Sequence, residues 1–133
     1  MMAPDIQATV LIADDEEPLL DLMEIVLGRE GKYRLLLARD GEEALAIARK
    51  EMPQLVIADV SMPKLNGFEV CRQLKQDPAT AKIKVVLLTG FIHGSFQGRM
   101  AEVGADDIFA KPFDLSTFRE MLEGPWLGIT GKS

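Results

Sequence analysis

The sequence predicts an α/β fold: a five-stranded parallel sheet with helices packed on both faces. Three observations predict it. Five short apolar runs rich in branched residues recur along the chain. Segments of helical period separate them, and strand–helix alternation of this kind implies parallel strands joined by crossover helices. Four of the five runs also stop at a residue capable of chemistry, at the edge where open sheets of this kind bind ligands.

The runs are Thr9–Ala13, Tyr33–Ala38, Leu55–Ala58, Val85–Leu88 and Ile108–Ala110. Near-continuous apolar runs suit strands buried on both faces. Asp15-Glu16-Glu17-Pro18 opens the first helix, because acids and proline are tolerated in a first turn. Leu19, Leu22, Met23 and Val26 are expected to line its buried face, with Gly31 ending it. Asp40-Gly41-Glu42-Glu43 has capping-box spacing ahead of Ala44, Leu45 and Ala48. Asn66-Gly67 leads into Phe68, Cys71 and Leu74. Asp114 caps a last helix carrying Leu115, Phe118, Met121 and Leu122. The weak unit is Phe91–Gly104, which holds Gly94, Gly98 and Gly104. An interior glycine costs about 1 kcal/mol relative to alanine, so a short or mobile fourth helix is expected.

Composition narrows the setting. The 133 residues suit one domain with a real core. A formal net charge of −6 argues against direct nucleic-acid binding by this domain, which would need a basic face. No apolar stretch approaches the roughly 18 residues of a membrane helix. Met1–Asp5 lacks the basic and apolar regions of a signal peptide. Cys71 is the only cysteine, which excludes an intrachain disulfide and a cysteine metal cluster. A cytoplasmic protein is the simplest reading.

The strand ends carry the chemistry. The first run stops at Asp14-Asp15, the third at Asp59, the fourth at Thr89 and the fifth at Lys111. After the second run, Asp40 is explained by helix capping. Ligands bind beyond the carboxyl ends of the strands in open parallel sheets, where strand order reverses. Adjacent carboxylates repel unless a cation or a basic group offsets them. Singly, an acid there is an ordinary helix cap, Thr89 an ordinary strand residue and Lys111-Pro112 an ordinary dipeptide. Together they place three carboxylates, a hydroxyl and an ammonium at one edge, which the ordinary readings do not account for.

From Thr9 to Glu123 the chain resembles the response-regulator receiver domains, the CheY-like family. The matching segments are Leu11–Asp15, Val56–Pro63 with Gly67 following, Val86–Gly90, Gly104–Asp107 and Lys111-Pro112-Phe113. The resemblance implies a flavodoxin-like doubly wound sheet of strand order 2-1-3-4-5 with five helices. It implies that Asp59 is the phosphoacceptor, since a carboxylate attacking phosphorus forms an acyl phosphate. It implies Mg²⁺ held by Asp15 directly, by Asp14 mainly through water, by Asp59 and by the backbone carbonyl of Ser61. Lys111 would meet one phosphoryl oxygen and Thr89 another, and the Lys111-Pro112 bond would be cis. Thr89 and Ile108 would occupy the switch positions.

Two positions depart from the family. Ile108 stands where an aromatic residue is usual, and alternation should turn Phe109 to the opposite face. Phe91 or Phe96 is a candidate substitute. Gly90 replaces the usual alanine and keeps a small residue beside the site.

The remaining signals have structural readings. Cys71 shares an apolar face with Phe68 and Leu74 and reads as core. His93 reads as a surface residue. The terminal Gly131-Lys132-Ser133 lacks the glycine and following helix of a P-loop. Domain limits read as an extension over 1–8, the receiver over 9–123, and a tail or linker over 124–133.

The leading function is therefore a switch in two-component signalling, not an enzyme beyond its own phosphorylation and dephosphorylation. A histidine kinase or phosphotransfer protein would supply the phosphoryl group. A downstream protein or a fused output domain would read it on the face of the fourth and fifth helices and the fifth strand. No membrane partner is expected. Homodimerisation on phosphorylation is compatible with the resemblance but has no support in the sequence. A phosphorylation-independent interaction module is the alternative. A haloacid-dehalogenase-type phosphatase fits less well, because its acids stand as Asp-x-Asp and it usually carries a cap domain.

Overall fold

The computed structural model describes residues 6–90 and 94–128, without the side chains of residues 94–97. Five strands alternate with five helices. They run β1 (Ala8–Ala13), α1 (Glu17–Gly28), β2 (Tyr33–Ala38), α2 (Gly41–Glu51), β3 (Leu55–Asp59), α3 (Gly67–Gln76), β4 (Lys84–Thr89), α4 (Gly94–Val103), β5 (Asp107–Ala110) and α5 (Leu115–Met121). The sheet order is β2-β1-β3-β4-β5 and every pairing is parallel, as the sequence predicts. Order reverses between β1 and β3, which both lie next to the acids of interest.

Period-two alternation splits the core into two layers. Leu11, Ala13, Val56, Ala58, Val85 and Leu87 face α2 and α3, where Leu45, Phe68, Cys71 and Leu74 meet them. Val10, Ile12, Leu55, Ile57, Val86 and Leu88 face α1 and α5, where Leu20, Met23, Leu27 and Phe118 meet them. Cys71 is buried in the first layer, as expected of a core residue.

The caps follow their sequence signals. Asp40 accepts a hydrogen bond from the Glu43 amide at 2.8 Å, and Asn66 from the Glu69 amide at 2.9 Å. Asp114 accepts from the Thr117 amide at 3.3 Å. The reciprocal half of the box at α2 is shifted by one residue, since Glu43 accepts from the Arg39 amide at 2.7 Å.

Three expectations need correction. The buried stripe of α1 is Leu20, Met23 and Leu27, not the expected set. Of that set only Met23 is buried, and Leu22 is exposed. Seven of the nine residues Leu19–Leu27 are apolar, so two helical faces satisfy the same period. Second, α1 stops at Gly28, and Gly31 lies in the following turn with φ of +73°. Third, α4 has 10 residues, as many as α3, so it is not short. A side chain added at Gly98 would meet open space, and Val103 packs on the core. Tertiary packing outweighs the glycine penalty there.

The chain winds on past α5. Leu122–Trp126 forms a π-helical turn that contains Pro125, and the Leu127 amide closes it by donating to the Leu122 carbonyl at 3.1 Å. Trp126 is buried, stacks edge-on to Phe109 and Phe118, and donates from Nε1 to Asp107 Oδ2 at 2.8 Å. The domain limit drawn at Glu123 falls inside this packed element. No helix among the described residues is long and apolar enough to cross a membrane.

Candidate functional site

The strand ends converge as the alternation requires. Asp14 and Asp15 follow β1, Asp59 ends β3, Thr89 ends β4 and Lys111 follows β5. One oxygen each of Asp14, Asp15 and Asp59 lies within 4.8 Å of the others. Asp14 is fully buried, Asp59 and Thr89 nearly so, and Asp15 is exposed. Lys111 reaches across them. Its Nζ lies 2.9 Å from Asp14 Oδ2, 3.1 Å from Glu16 Oε1 and 3.6 Å from Asp59 Oδ1. The Lys111 amide donates to the Thr89 carbonyl at 2.8 Å, which joins the β4 and β5 ends of the site. The Lys111-Pro112 peptide is cis.

Both Asp14 oxygens are engaged. Oδ2 accepts from Lys111, and Oδ1 accepts from the Glu16 amide at 3.0 Å. Beside this cluster opens a cleft of about 590 Å³. Glu16, Asp59, Ser61 and Lys111 form its polar part, while Leu19, Leu22 and Phe113 form an apolar wall.

Two close backbone approaches hold the edge in place. A Cβ on Gly67 would lie 2.5 Å from the Asp59 carbonyl oxygen. One on Gly41 would lie 2.1 Å from the Leu65 carbonyl oxygen. The 60–66 loop is thus pinned between the starts of α2 and α3, and Asp59 sits at its root.

The electrostatics are unbalanced. Burial, and then the charge on Asp14, push the Asp59 carboxyl up to about 6, against the opposing pull of Lys111. Burial alone would lower Lys111, but its hydrogen bonds to Asp14 and Glu16 and the surrounding carboxylates raise it well above the ordinary lysine value. Carboxylates outnumber the one ammonium, so the site suits an added cation.

A stability prediction follows. The folded state keeps the Asp59 proton to about pH 6, while the unfolded chain releases it near 3.8. Folding therefore binds the proton more tightly, and this contribution to stability is full below about 3.8 and lost as pH rises through about 6. We expect wild type to lose on the order of 2–3 kcal/mol relative to Asp59→Asn between pH 4 and pH 7 without divalent metal. Denaturant melts of both forms across that range measure it, and parallel pH profiles would refute it.

The switch positions divide as alternation demands. Ile108, registered with Leu87, packs against the layer of α2 and α3. Phe109 turns to the other layer, among Phe113, Phe118 and Trp126. Phe91, His93 and the Phe96 side chain lie outside the described residues. The residue that sequence reasoning passed over is Glu16. In the sequence it is one acid of the first turn of α1, yet in the structure its carboxylate meets Lys111. Nothing in the run Asp14–Glu17 singles it out, since its place at the N-cap of α1 is set only by the fold.

The profile of the response regulator receiver domain matches residues 10–123. The chain belongs to that family. It is 41% identical over 108 residues to the DNA-binding dual master transcriptional regulator RpaA of Synechocystis, covering 80% of this chain and 44% of the relative. It is 37% identical over 107 residues to the phosphate regulon regulator PhoB of Pseudomonas aeruginosa, covering 79% and 45%. The chain thus spans under half the length of these relatives. Among solved structures, the Vibrio cholerae chemotaxis protein CheY4 superposes with a TM-score of 0.81 at 30% identity, covering 88% of this chain and 97% of that one. The receiver domain of a histidine kinase from Syntrophus aciditrophicus gives 0.80 at 29% identity, covering 95% of each. As a receiver domain, the chain is a signalling switch of two-component systems with a flavodoxin-like fold.

Proposed function

We propose that Asp59 is the phosphoacceptor, served by Asp14, Asp15, Thr89 and Lys111 at one sheet edge. The observation that carries this reading is the convergence of Asp14, Asp15 and Asp59 within 4.8 Å, with the Lys111 ammonium beside them. An Asp59 oxygen attacks the phosphorus of a phosphohistidine. The O–P bond forms as the N–P bond breaks, and the imidazole leaves with the electron pair and takes up a proton. Water later cleaves the acyl phosphate to the carboxylate and inorganic phosphate. With a pKa of about 6, Asp59 is mostly ionised at neutral pH and fit to attack. Lys111 and the Thr89 hydroxyl donate to phosphoryl oxygens, since phosphoryl transfer needs mainly positioning and charge neutralisation.

Asp14, Asp15, Asp59 and the Ser61 carbonyl would hold Mg²⁺, which when bound offsets the negative charge of the transferring group. The engaged oxygens of Asp14 favour Asp15 as a direct ligand and Asp14 as one acting through water. The protein acts in the cytoplasm, and its phosphodonor is a histidine kinase or histidine phosphotransfer protein. The output is a downstream protein or a fused domain, read from the face of α4, β5 and α5. Catalysis is confined to the domain's own phosphorylation and dephosphorylation. The receiver is drawn over residues 9–123, with the packed turn to Trp126 continuing it, and Thr89 and Ile108 occupy the switch positions with Phe91 or Phe96 as the candidate aromatic partner.

Asp15→Ala should weaken Mg²⁺ binding about tenfold or more and slow labelling by acetyl phosphate in parallel. Calorimetric titration of both proteins checks it. Unchanged Mg²⁺ affinity would refute the metal assignment. A wild-type chain that takes no label would favour the phosphorylation-independent interaction module.

A further inference from the structure

We propose that Glu16 restrains phosphoryl transfer by acting through Lys111. It holds the Lys111 ammonium at the cleft mouth until a phosphoryl group on Asp59 draws it away. The inference rests on Asp59 being the phosphoacceptor.

An ammonium has three donors. Lys111 makes its two short contacts to Asp14 and Glu16, at 2.9 and 3.1 Å, and stands 3.6 Å from Asp59. The lysine is therefore nearer the two acids that do not react. Its Asp14 partner is fixed, because that carboxylate is fully buried and its other oxygen accepts the Glu16 amide. The Glu16 side chain is 61% exposed, so water replaces its contact at little cost.

The local backbone supports a role beyond capping. Glu16 is the N-cap of α1, yet its side chain makes no capping hydrogen bond. Its carboxylate lines the cleft with Asp59, Ser61 and Lys111 instead. A phosphoryl group on Asp59 would compete for the ammonium and repel the Glu16 carboxylate. Glu16 thus opposes both the approach of an anionic donor and the transfer of Lys111.

The test is the labelling rate with acetyl phosphate and Mg²⁺ over a range of ionic strength. It compares wild type, Glu16→Gln and the control Glu17→Gln, whose acid pairs with Arg39. Glu16→Gln should label about two- to fivefold faster at low salt, the rate equivalent of one exposed charge pair. That gain should shrink toward unity near 0.5 M salt as charges are screened, with Glu17→Gln tracking wild type throughout. Equal or slower labelling of Glu16→Gln, or a gain that ignores salt, would overturn the inference while leaving Asp59 in place. A wild type that takes no label would overturn the phosphoacceptor reading and this inference with it.

Discussion

Asp59→Asn takes no phosphoryl label from acetyl phosphate, while melting at a higher temperature than wild type at neutral pH without metal. The two halves of this expected result have one cause. The wild-type carboxylate is buried beside Asp14 and is held ionised at pH 7 against that charge. An amide keeps the shape and removes the charge, so the repulsion disappears. The amide oxygen is also a far weaker nucleophile, and no acyl phosphate forms. Loss of labelling with a gain in stability separates lost chemistry from lost fold, which a destabilised variant could not do. Added Mg²⁺ should narrow the stability gap, since it stabilises the wild-type cluster more than the neutralised one. Phosphate-specific detection and thermal melts in EDTA and in Mg²⁺ read all three outcomes. Persistent labelling of Asp59→Asn would move the acceptor elsewhere, and lower stability would contradict the electrostatic account.

The strand ends were legible because parallel sheets impose strong local signals. Each strand was located within one residue of its observed bounds, since buried strands have few polar alternatives. Asp14, Asp15, Asp59, Thr89 and Lys111 followed, because topology alone brings the carboxyl ends of parallel strands to one edge. The face of α1 was not legible. Leu19, Leu20, Leu22, Met23, Ile25, Val26 and Leu27 offer more apolar surface than one stripe can bury. Only the position of the sheet selects Leu20, Met23 and Leu27. Trp126 was obscured differently, because Gly124-Pro125 reads as a break while a π-helical turn carries the chain through it. Glu16 was hidden by its neighbours, since a run of four acids gives no hint which of them turns toward Lys111. What stayed illegible is side-chain direction at places where local rules permit several answers.

Gly67→Ala tests whether the phosphoacceptor is held by backbone contact. The added Cβ would lie 2.5 Å from the Asp59 carbonyl oxygen, 2.9 Å from its carbon and 3.1 Å from the Val60 Cα. These are backbone atoms and cannot turn aside as a flexible side chain can. The Gly67 amide also donates to the Val60 carbonyl at 3.1 Å, so α3 cannot back away without losing that bond. Asp59 pairs in register with Leu88, which resists movement on the sheet side. We expect a loss of about 3 kcal/mol, the upper end of ordinary overpacking, and a fall in Tm of about 10 °C or more. Displacing the Asp59 peptide should also separate its carboxylate from Lys111 and Asp15, so labelling should fall further than stability alone explains. A contrasting change is Gly98→Ala on α4, where nothing lies within 4 Å of the added carbon. That variant should gain up to about 1 kcal/mol from helix propensity. If Gly67→Ala melts and labels like wild type, the close approach at Asp59 is not what fixes the acceptor. The burden of positioning would then fall on the sheet and on Lys111.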